Sequence, residues 1–484
     1  MSNNIDKLAS KESALETTQK VADDYNGAYN EEDYIDTPPD GGYGWVCCAC
    51  ISAMNFATWG ANGSFGVMLT FFLENDEFPG ATATDYALIV GLLNLFTLGT
   101  MSIASVMLFV LGYKTTVTIG IVIQLAAYIG ASFAKTIGQI QATQGVLLGL
   151  SFGIIFGANS IVLPSWFLQK RAVANGFSHL GLGLGGMTFS LVNNALIQRT
   201  GNHKWALRAL GIISTLICTV TMFLVKIRTP KNSHFKENPT VWDIAKKIYD
   251  WKVIKSYPLQ LVTVWALLST MAYAICLFSL SNYARSLGYT SNQATTITVL
   301  LNLSQGFGRP LIGILSEIFG RINFTMFSIM YTCVLVFVFW INLTNYASLI
   351  IFALMLGLFI GISSVGVVPL TVDVVGLNAF PAAFSYINLF VGSSILVSEV
   401  IALDLRDYSL IGHTPYFHCQ LFVGSIYFVA FLILIPYREW RIQRMITQLQ
   451  NSDSLDDKKR QEYELLQEKG FISWWKRAFH LVKI

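Results

Sequence analysis

The residues best suited to recognise a ligand are polar groups embedded in long apolar runs. Asn302, Gln305 and Arg309 are spaced three and four apart, which puts them on one face of a helix. An unpaired charge in hydrocarbon is expensive, so this stripe should line an internal cavity rather than face lipid. A guanidinium there would bind the carboxylate or phosphate of an anion. The competing reading is a structural pairing with backbone carbonyls or with an acid. Glu399 and His179 are further ionisable groups within apolar runs and are candidates for exchanging a proton. Glu399 could instead snorkel to water. Trp59, Asn62, Asn94, Asn159 and Asn388 are additional cavity candidates, although helix–helix hydrogen bonds would employ the amides equally well. Asp373 fits a loop or latch at the inner end of a span.

No catalytic constellation accompanies these groups. The apolar runs carry no nucleophile–base spacing and no glycine-rich phosphate loop. Cys47-Cys48-x-Cys50 lacks a His or Cys partner at ligand spacing, so no metal, cofactor or enzymatic activity is expected. All seven cysteines read as small apolar packing residues, without a structural disulfide.

The elements that must position these residues follow from composition. Of the 484 residues 53% are apolar and only 13% charged, with a mean hydropathy of +0.52. A soluble globule carries roughly a quarter charged residues. Most of this surface therefore faces a lipid bilayer, and the net charge of +3 gives no argument for nucleic acid. A bilayer core of about 30 Å needs about 20 apolar residues per helix. The expected spans are 44–70, 86–110, 115–134, 140–164, 172–197 and 205–226, then 258–281, 293–316, 322–343, 347–370, 381–403 and 417–436. The chain thus divides into a disordered, acidic N-tail (1–39), a six-helix bundle (40–226), a Lys-rich central loop (227–257), a second bundle (258–436) and a C-tail (437–484). With both termini inside, 25 of the 32 Lys and Arg lie in the tails, the inner loops and the central loop, counting Lys226 at that loop's edge, as the positive-inside rule requires. In the C-tail Phe471, Trp474, Trp475 and Phe479 alternate with Lys476, Arg477 and Lys483, which fits an amphipathic surface segment or a site for a cytoplasmic partner. Within 140–164 a glycine recurs at every fourth position (Gly145, Gly149, Gly153, Gly157), a stripe that would let a neighbouring helix approach closely.

Three motifs carry a resemblance. Gly313-Ile-Leu-Ser-Glu317-Ile-Phe-Gly320-Arg321 follows span 8 and is similar to the G-x-L-a-D-R-x-G-R loop of the major facilitator superfamily. Ser105, Phe109 and Gly112 occupy the corresponding places after span 2. Asp40-Gly41-Gly42-Tyr43-Gly44-Trp45 resembles the signature of the monocarboxylate transporter family. Trp166-Phe167-Leu168-Gln169-Lys170-Arg171-Ala172-Val173-Ala174-Asn175-Gly176 resembles that family's aromatic-Phe-x-x-[KR]-R-x-x-A-x-G element. The resemblance looks closest to the fungal branch, which includes a riboflavin transporter.

The resemblance implies an all-α membrane protein of the major facilitator fold, with twelve transmembrane helices in two six-helix bundles. It implies a secondary transporter moving a small organic solute, anionic if Arg309 binds it, by alternating access. Physical roles are expected for the motif residues. Asp40 would cap the first helix, Trp45 would sit in the interfacial aromatic belt, Lys170 and Arg171 would hold the inner loop in the cytoplasm, and Glu317 and Arg321 would form a latch. The chain departs from the family's lactate carriers at two places. Gln305 stands where they carry an Asp, and Gly63 where they carry a Lys. Neither replacement titrates, so a standard lactate–proton mechanism is not expected. The alternatives are a facilitator for riboflavin or another polar solute, and a non-transporting nutrient sensor. The expected location is the plasma membrane, with an internal membrane such as the vacuolar one as alternative.

Overall fold

The computed structural model describes residues 38–75, 77–228, 251–407 and 414–450, and among these the regular structure is helical throughout. Each predicted span coincides with a helical stretch. These are α1 (43–74), α2 (83–111), α3 (Tyr113–Ala131), α4 (Ile137–Trp166), α5 (Arg171–Thr200) and α6 (His203–Leu224), then α7 (Tyr257–Ser286), α8 (Ser291–Phe319), α9 (Arg321–Asn342), α10 (Tyr346–Leu377), α11 (Ala379–Ala402) and α12 (Phe417–Gln450). Nine of them are long and apolar enough to cross a membrane, and α2 makes a tenth if its halves, bent by 41°, are taken together. The other two fall short for local reasons. A π-helical stretch, Phe56–Gly60, and a break at Ser64 divide α1 into shorter pieces. In α8 the stripe of Asn302, Gln305 and Arg309 lowers the mean apolarity.

Helix ends follow the sequence chemistry. Thr82 and Asp85 form a reciprocal capping box at the start of α2, and Thr290 and Gln293 do the same for α8. Pro258 stands in the first turn of α7, where its missing N–H costs nothing. The glycine stripe of α4 packs on α2, as its spacing predicts. A Cβ at Gly149 would lie 2.8 Å from the carbonyl of Leu93, and one at Gly157 2.7 Å from Ala104.

One apolar core gathers residues of 253–437 with Leu98 and Met101, and two smaller cores lie within 47–225. The halves meet along two helix pairs. Between α2 and α11, Leu98 packs on Gly392, and Ser105 and Ser385 bring their hydroxyls to 3.5 Å. Between α5 and α8 the backbones nearly touch, and a Cβ at Gly183 would lie 2.7 Å from the Cα of Gly306. The other face of α5 lies against α1, with Gly181 opposite Ser52 and Gly185 opposite Phe56. All seven cysteines are buried thiols inside these packings. The expected disordered N-tail, most of the central loop and the amphipathic C-terminal segment lie outside the described residues.

Candidate functional site

Arg309 lies in α8 where α5, α7 and α10 converge. Only 4% of it is exposed, and 2% of Gln305. The next residue, Pro310, has no N–H to donate to the carbonyl of Gly306 one turn back, which loosens the helix at this level. On α5, Gly176 leaves room for the backbone of Arg309 and Pro310, while Gly361 on α10 lies over the side chain, 3.3 Å from its Nε to a Cβ built there. Arg309 Nη2 donates to Gln305 Oε1 at 3.0 Å and approaches the Tyr273 hydroxyl at 3.5 Å, while that hydroxyl donates to the same oxygen at 3.1 Å. No carboxylate among the described residues pairs with the guanidinium. Its Nε and the amide nitrogen of Gln305 are buried donors without acceptors. A buried cation held only by neutral groups invites a negative ligand.

His179 on α5 follows Gly176 by three residues and precedes Gly183 by four, so it shares the helix face that meets α8. Its Nδ1 lies 2.8 Å from the carbonyl of Asn175. A carbonyl only accepts, so this bond assigns the hydrogen to Nδ1 and leaves the lone pair of the neutral ring on Nε2. Phe156 of α4 meets the imidazole edge-on at 6.3 Å, and Trp59 of α1 meets Phe156 at 5.8 Å. The indole Nε1 of Trp59 is a third buried donor without an acceptor. Trp59 and Phe156 from one half pack against the apolar core of the other, and His179 shares the face of α5 that meets the helix of Arg309 and Gln305. Sequence spacing did not single out Tyr273 or Phe156. The hydroxyl of Tyr273, midway along an apolar helix, was the available signal.

The remaining candidates go elsewhere. Asn302 contributes its carbonyl to the close approach of Gly183. Asn159 accepts from Tyr113 Oη at 2.7 Å and turns its amide nitrogen to Met54 Sδ at 3.1 Å, which links α3, α4 and α1. Asn388 and Asn94 donate to carbonyls one turn back, Phe384 and Val90. Asn62 lines a small cleft whose lining residues, Gln144 and Tyr128 among them, all come from α1–α4 and α6. Glu399 falls on α11, and its side chain lies outside the described ones.

A second polar cluster lies at the end of the bundle where α1 and α5 begin. The structure corrects the role expected for Asp40. The helix cap of α1 is Gly42, which has no side chain to offer, and its φ of 58° suits glycine. Asp40 itself has φ 51°, a turn that Asp tolerates, and aims its carboxylate at the loop before α5. There Oδ1 accepts from the N–H groups of Leu168 at 2.8 Å, Gln169 at 2.9 Å and Lys170 at 3.1 Å. Asp40 thus caps the approach to α5, where free N–H groups and the helix dipole favour an anion. The two family motifs interlock further. Gly44 makes room for Trp166 and Phe167, and the ring of Trp45, 36% exposed, stands edge-on to Phe167 at 4.9 Å. Arg171 folds back so that its Nε donates to the carbonyl of Phe167 at 2.7 Å.

From the other half, Arg321 donates to the carbonyls of Leu168 at 2.8 Å and Gln169 at 3.3 Å. It also pairs with Asp373 at 2.9 Å and Glu317 at 3.1 Å. Glu317 Oε1 in turn accepts the N–H of Ala172 in the first turn of α5, at 3.0 Å. Asn175 donates to the carbonyl of Val365 at 2.8 Å. At this end the halves are therefore tied by at least three separate polar contacts.

Residues 46–399 match the sequence profile of the Major Facilitator Superfamily. "Uncharacterized transporter ESBP6" of Saccharomyces cerevisiae is 36% identical over 89% of this chain, which spans 64% of that protein. "Probable transporter MCH2" of the same yeast is 32% identical over 84% of each chain. "Monocarboxylate transporter 4" of Gallus gallus is 23% identical, over 76% of this chain and 78% of its own. None of these is named as a sensor. The crystal structure of FucP, a superfamily transporter in the outward conformation, superposes with a TM-score of 0.62 at 13% identity, covering 82% of this chain and 99% of that one, and so shares the fold. This chain is a multi-pass secondary transporter that belongs to the Major Facilitator Superfamily, among its monocarboxylate-transporter-like members of fungi.

Proposed function

We propose that the protein carries a small organic anion, bound between the halves with its acidic group on Arg309. The observation that supports this most is the burial of that guanidinium, unpaired with any carboxylate among the described residues, with two donors that lack acceptors: its own Nε and Gln305 Nε2. An acceptor-rich group such as a carboxylate would satisfy them together. Tyr273 and Gln305 orient the guanidinium, and Phe156, Trp59 and the apolar walls suit a carbon skeleton. The relative named as a monocarboxylate transporter favours the same ligand class. The contacts among Asp40, the loop 168–170, Arg321, Glu317 and Asp373 serve as the inner gate, closed in this conformation. Both termini lie in the cytoplasm and the plasma membrane is the site of action. Uptake of labelled lactate, pyruvate and riboflavin by expressing and deleted cells tests the reading. A difference for an acid supports it; a difference for riboflavin alone contradicts it.

A further inference from the structure

The first bundle holds a cleft of its own, apart from Arg309. It lies among α1, α2, α3, α4 and α6 and has room for about one water-sized occupant. Its walls are mostly apolar, and no charged residue lines it. The polar groups are Asn62 and Ser64 of α1, Tyr128 of α3 and Gln144 of α4. Gln144 is only 4% exposed, and its Oε1 is a buried acceptor to which no group donates. Leaving such an oxygen unmet in an apolar wall is costly. The Ser64 hydroxyl donates to the carbonyl of Ala61 at 2.6 Å and accepts from the amide of Asn193 at 2.9 Å. Its proton is thereby spent, and what it can still offer is a lone pair.

Both residues stand where a helix is irregular. Gln144 lies in the π-helical stretch Gln141–Leu147 of α4. Ser64 marks the break in α1 that follows the π-helical stretch Phe56–Gly60. There the Ser64 N–H reaches the carbonyl of Ala61, three residues back rather than four. Irregular turns of this kind take carbonyls out of the helical ladder and occur at ion and ligand sites of membrane carriers.

Surplus oxygen acceptors without an acid or a base select the ligand. An anion finds no donor, and a divalent cation finds no carboxylate to offset its charge. A small monovalent cation fits both the oxygens and the confined space. We infer that this cleft binds a sodium ion, with Gln144 Oε1 and Ser64 Oγ as ligands and Asn62 beside them. With an anion on Arg309 the two ions would cross as a neutral load. That role rests on the anion reading, whereas the cation site does not.

The experiment measures equilibrium binding of radiolabelled Na+ to the purified full chain at pH 8, with choline chloride holding the ionic strength. The wild type should show saturable binding that unlabelled Na+ displaces and choline does not. Gln144→Leu, of similar volume, should weaken it about tenfold or more, as the loss of a metal's partner does. Gln144→Glu supplies a charge and should tighten it. Absence of saturable binding to the wild type overturns the inference and leaves the cleft to water. Wild-type affinity in Gln144→Leu overturns it as well, because the ion then lies elsewhere. Where Gln144→Leu does not fold, Gln144→Glu decides, and affinity no tighter than wild type overturns the site. No anion and no turnover enter this measurement, so its failure is distinct from failure of the anion reading.

Discussion

Asp40 and Arg321 hold the same residue from opposite sides: the carboxylate accepts the N–H of Leu168 and the guanidinium donates to its carbonyl, each at 2.8 Å. One charge belongs to the first half of the chain and the other to the second. The loop between α4 and α5 is thereby a handle by which the halves grip each other at the end where α1 and α5 begin. The motif at the start of α1 and the motif before α5 are thus in direct contact. The first motif shapes the backbone that the superfamily loop after α8 reads.

The first prediction concerns this grip. Asp40→Ala leaves three N–H groups without their acceptor and should lower stability by about 1–3 kcal/mol. It should also increase labelling of the inner cavity by a cytoplasmic thiol reagent at a cysteine introduced for the purpose. Asp40→Asn, which retains an accepting oxygen, should lie between. Thermal unfolding in detergent and the labelling rate check this, and an unchanged labelling rate in Asp40→Ala would remove the residue from the gate.

The crossing of α5 and α8 predicts an asymmetry between two glycines. A Cβ at Gly183 would lie 2.7 Å from Gly306 Cα, whereas one at Gly306 would lie 3.6 Å from Gly183 Cα, an ordinary contact. Gly183→Ala should therefore cost about 1–3 kcal/mol and slow transport, and Gly306→Ala should do neither. Melting temperature and initial uptake rate in the two variants are the measurements. Equal tolerance of both would mean the helices are further apart than described.

Asn159 should matter for folding and not for the substrate. Its carbonyl oxygen is the acceptor for the buried hydroxyl of Tyr113. Asn159→Leu leaves that hydroxyl unsatisfied, at about 1–3 kcal/mol. The KM of the surviving protein should equal the wild-type value. A raised KM with unchanged stability would return Asn159 to the binding site.

Several parts of this arrangement were legible in the sequence. The twelve helical stretches follow from runs of apolar residues, and glycines at every fourth position of α4 announce a close helix approach, though only the structure shows α2 as the partner. The burial of Gln305 and Arg309 follows from their shared helix face. What sequence could not supply was contact between distant segments. Asp40 looks like a cap for the helix three residues on. It caps instead a loop 128 residues away, because Gly42 and the turn at Asp40 aim the carboxylate there. Asn159 and Asn388 looked equally suited to a cavity, and the choice depended on whether a partner such as Tyr113 or Phe384 lay in reach. Tyr273 was passed over because a tyrosine in an apolar run shows its partner only once α7 and α8 are side by side.

The replacement of a carboxylate by Gln305 has a consequence for coupling. With no carboxylate at Arg309 among the described residues to take up a proton, net uptake of the anion should be insensitive to a protonophore. Net uptake of a labelled anion with and without the uncoupler checks this. Strong inhibition would transfer attention to Glu399 or His179 as a proton site, and substitution of each by Gln would then identify which.

The central claim is that Arg309 receives the anion. Equilibrium binding of the transported anion to purified protein, wild type against Arg309→Gln, tests it without requiring turnover. Losing a buried charge-assisted contact predicts a fall in affinity of about a hundredfold or more, with the melting temperature of the unliganded protein maintained or raised. Wild-type affinity in a folded Arg309→Gln protein would contradict the account.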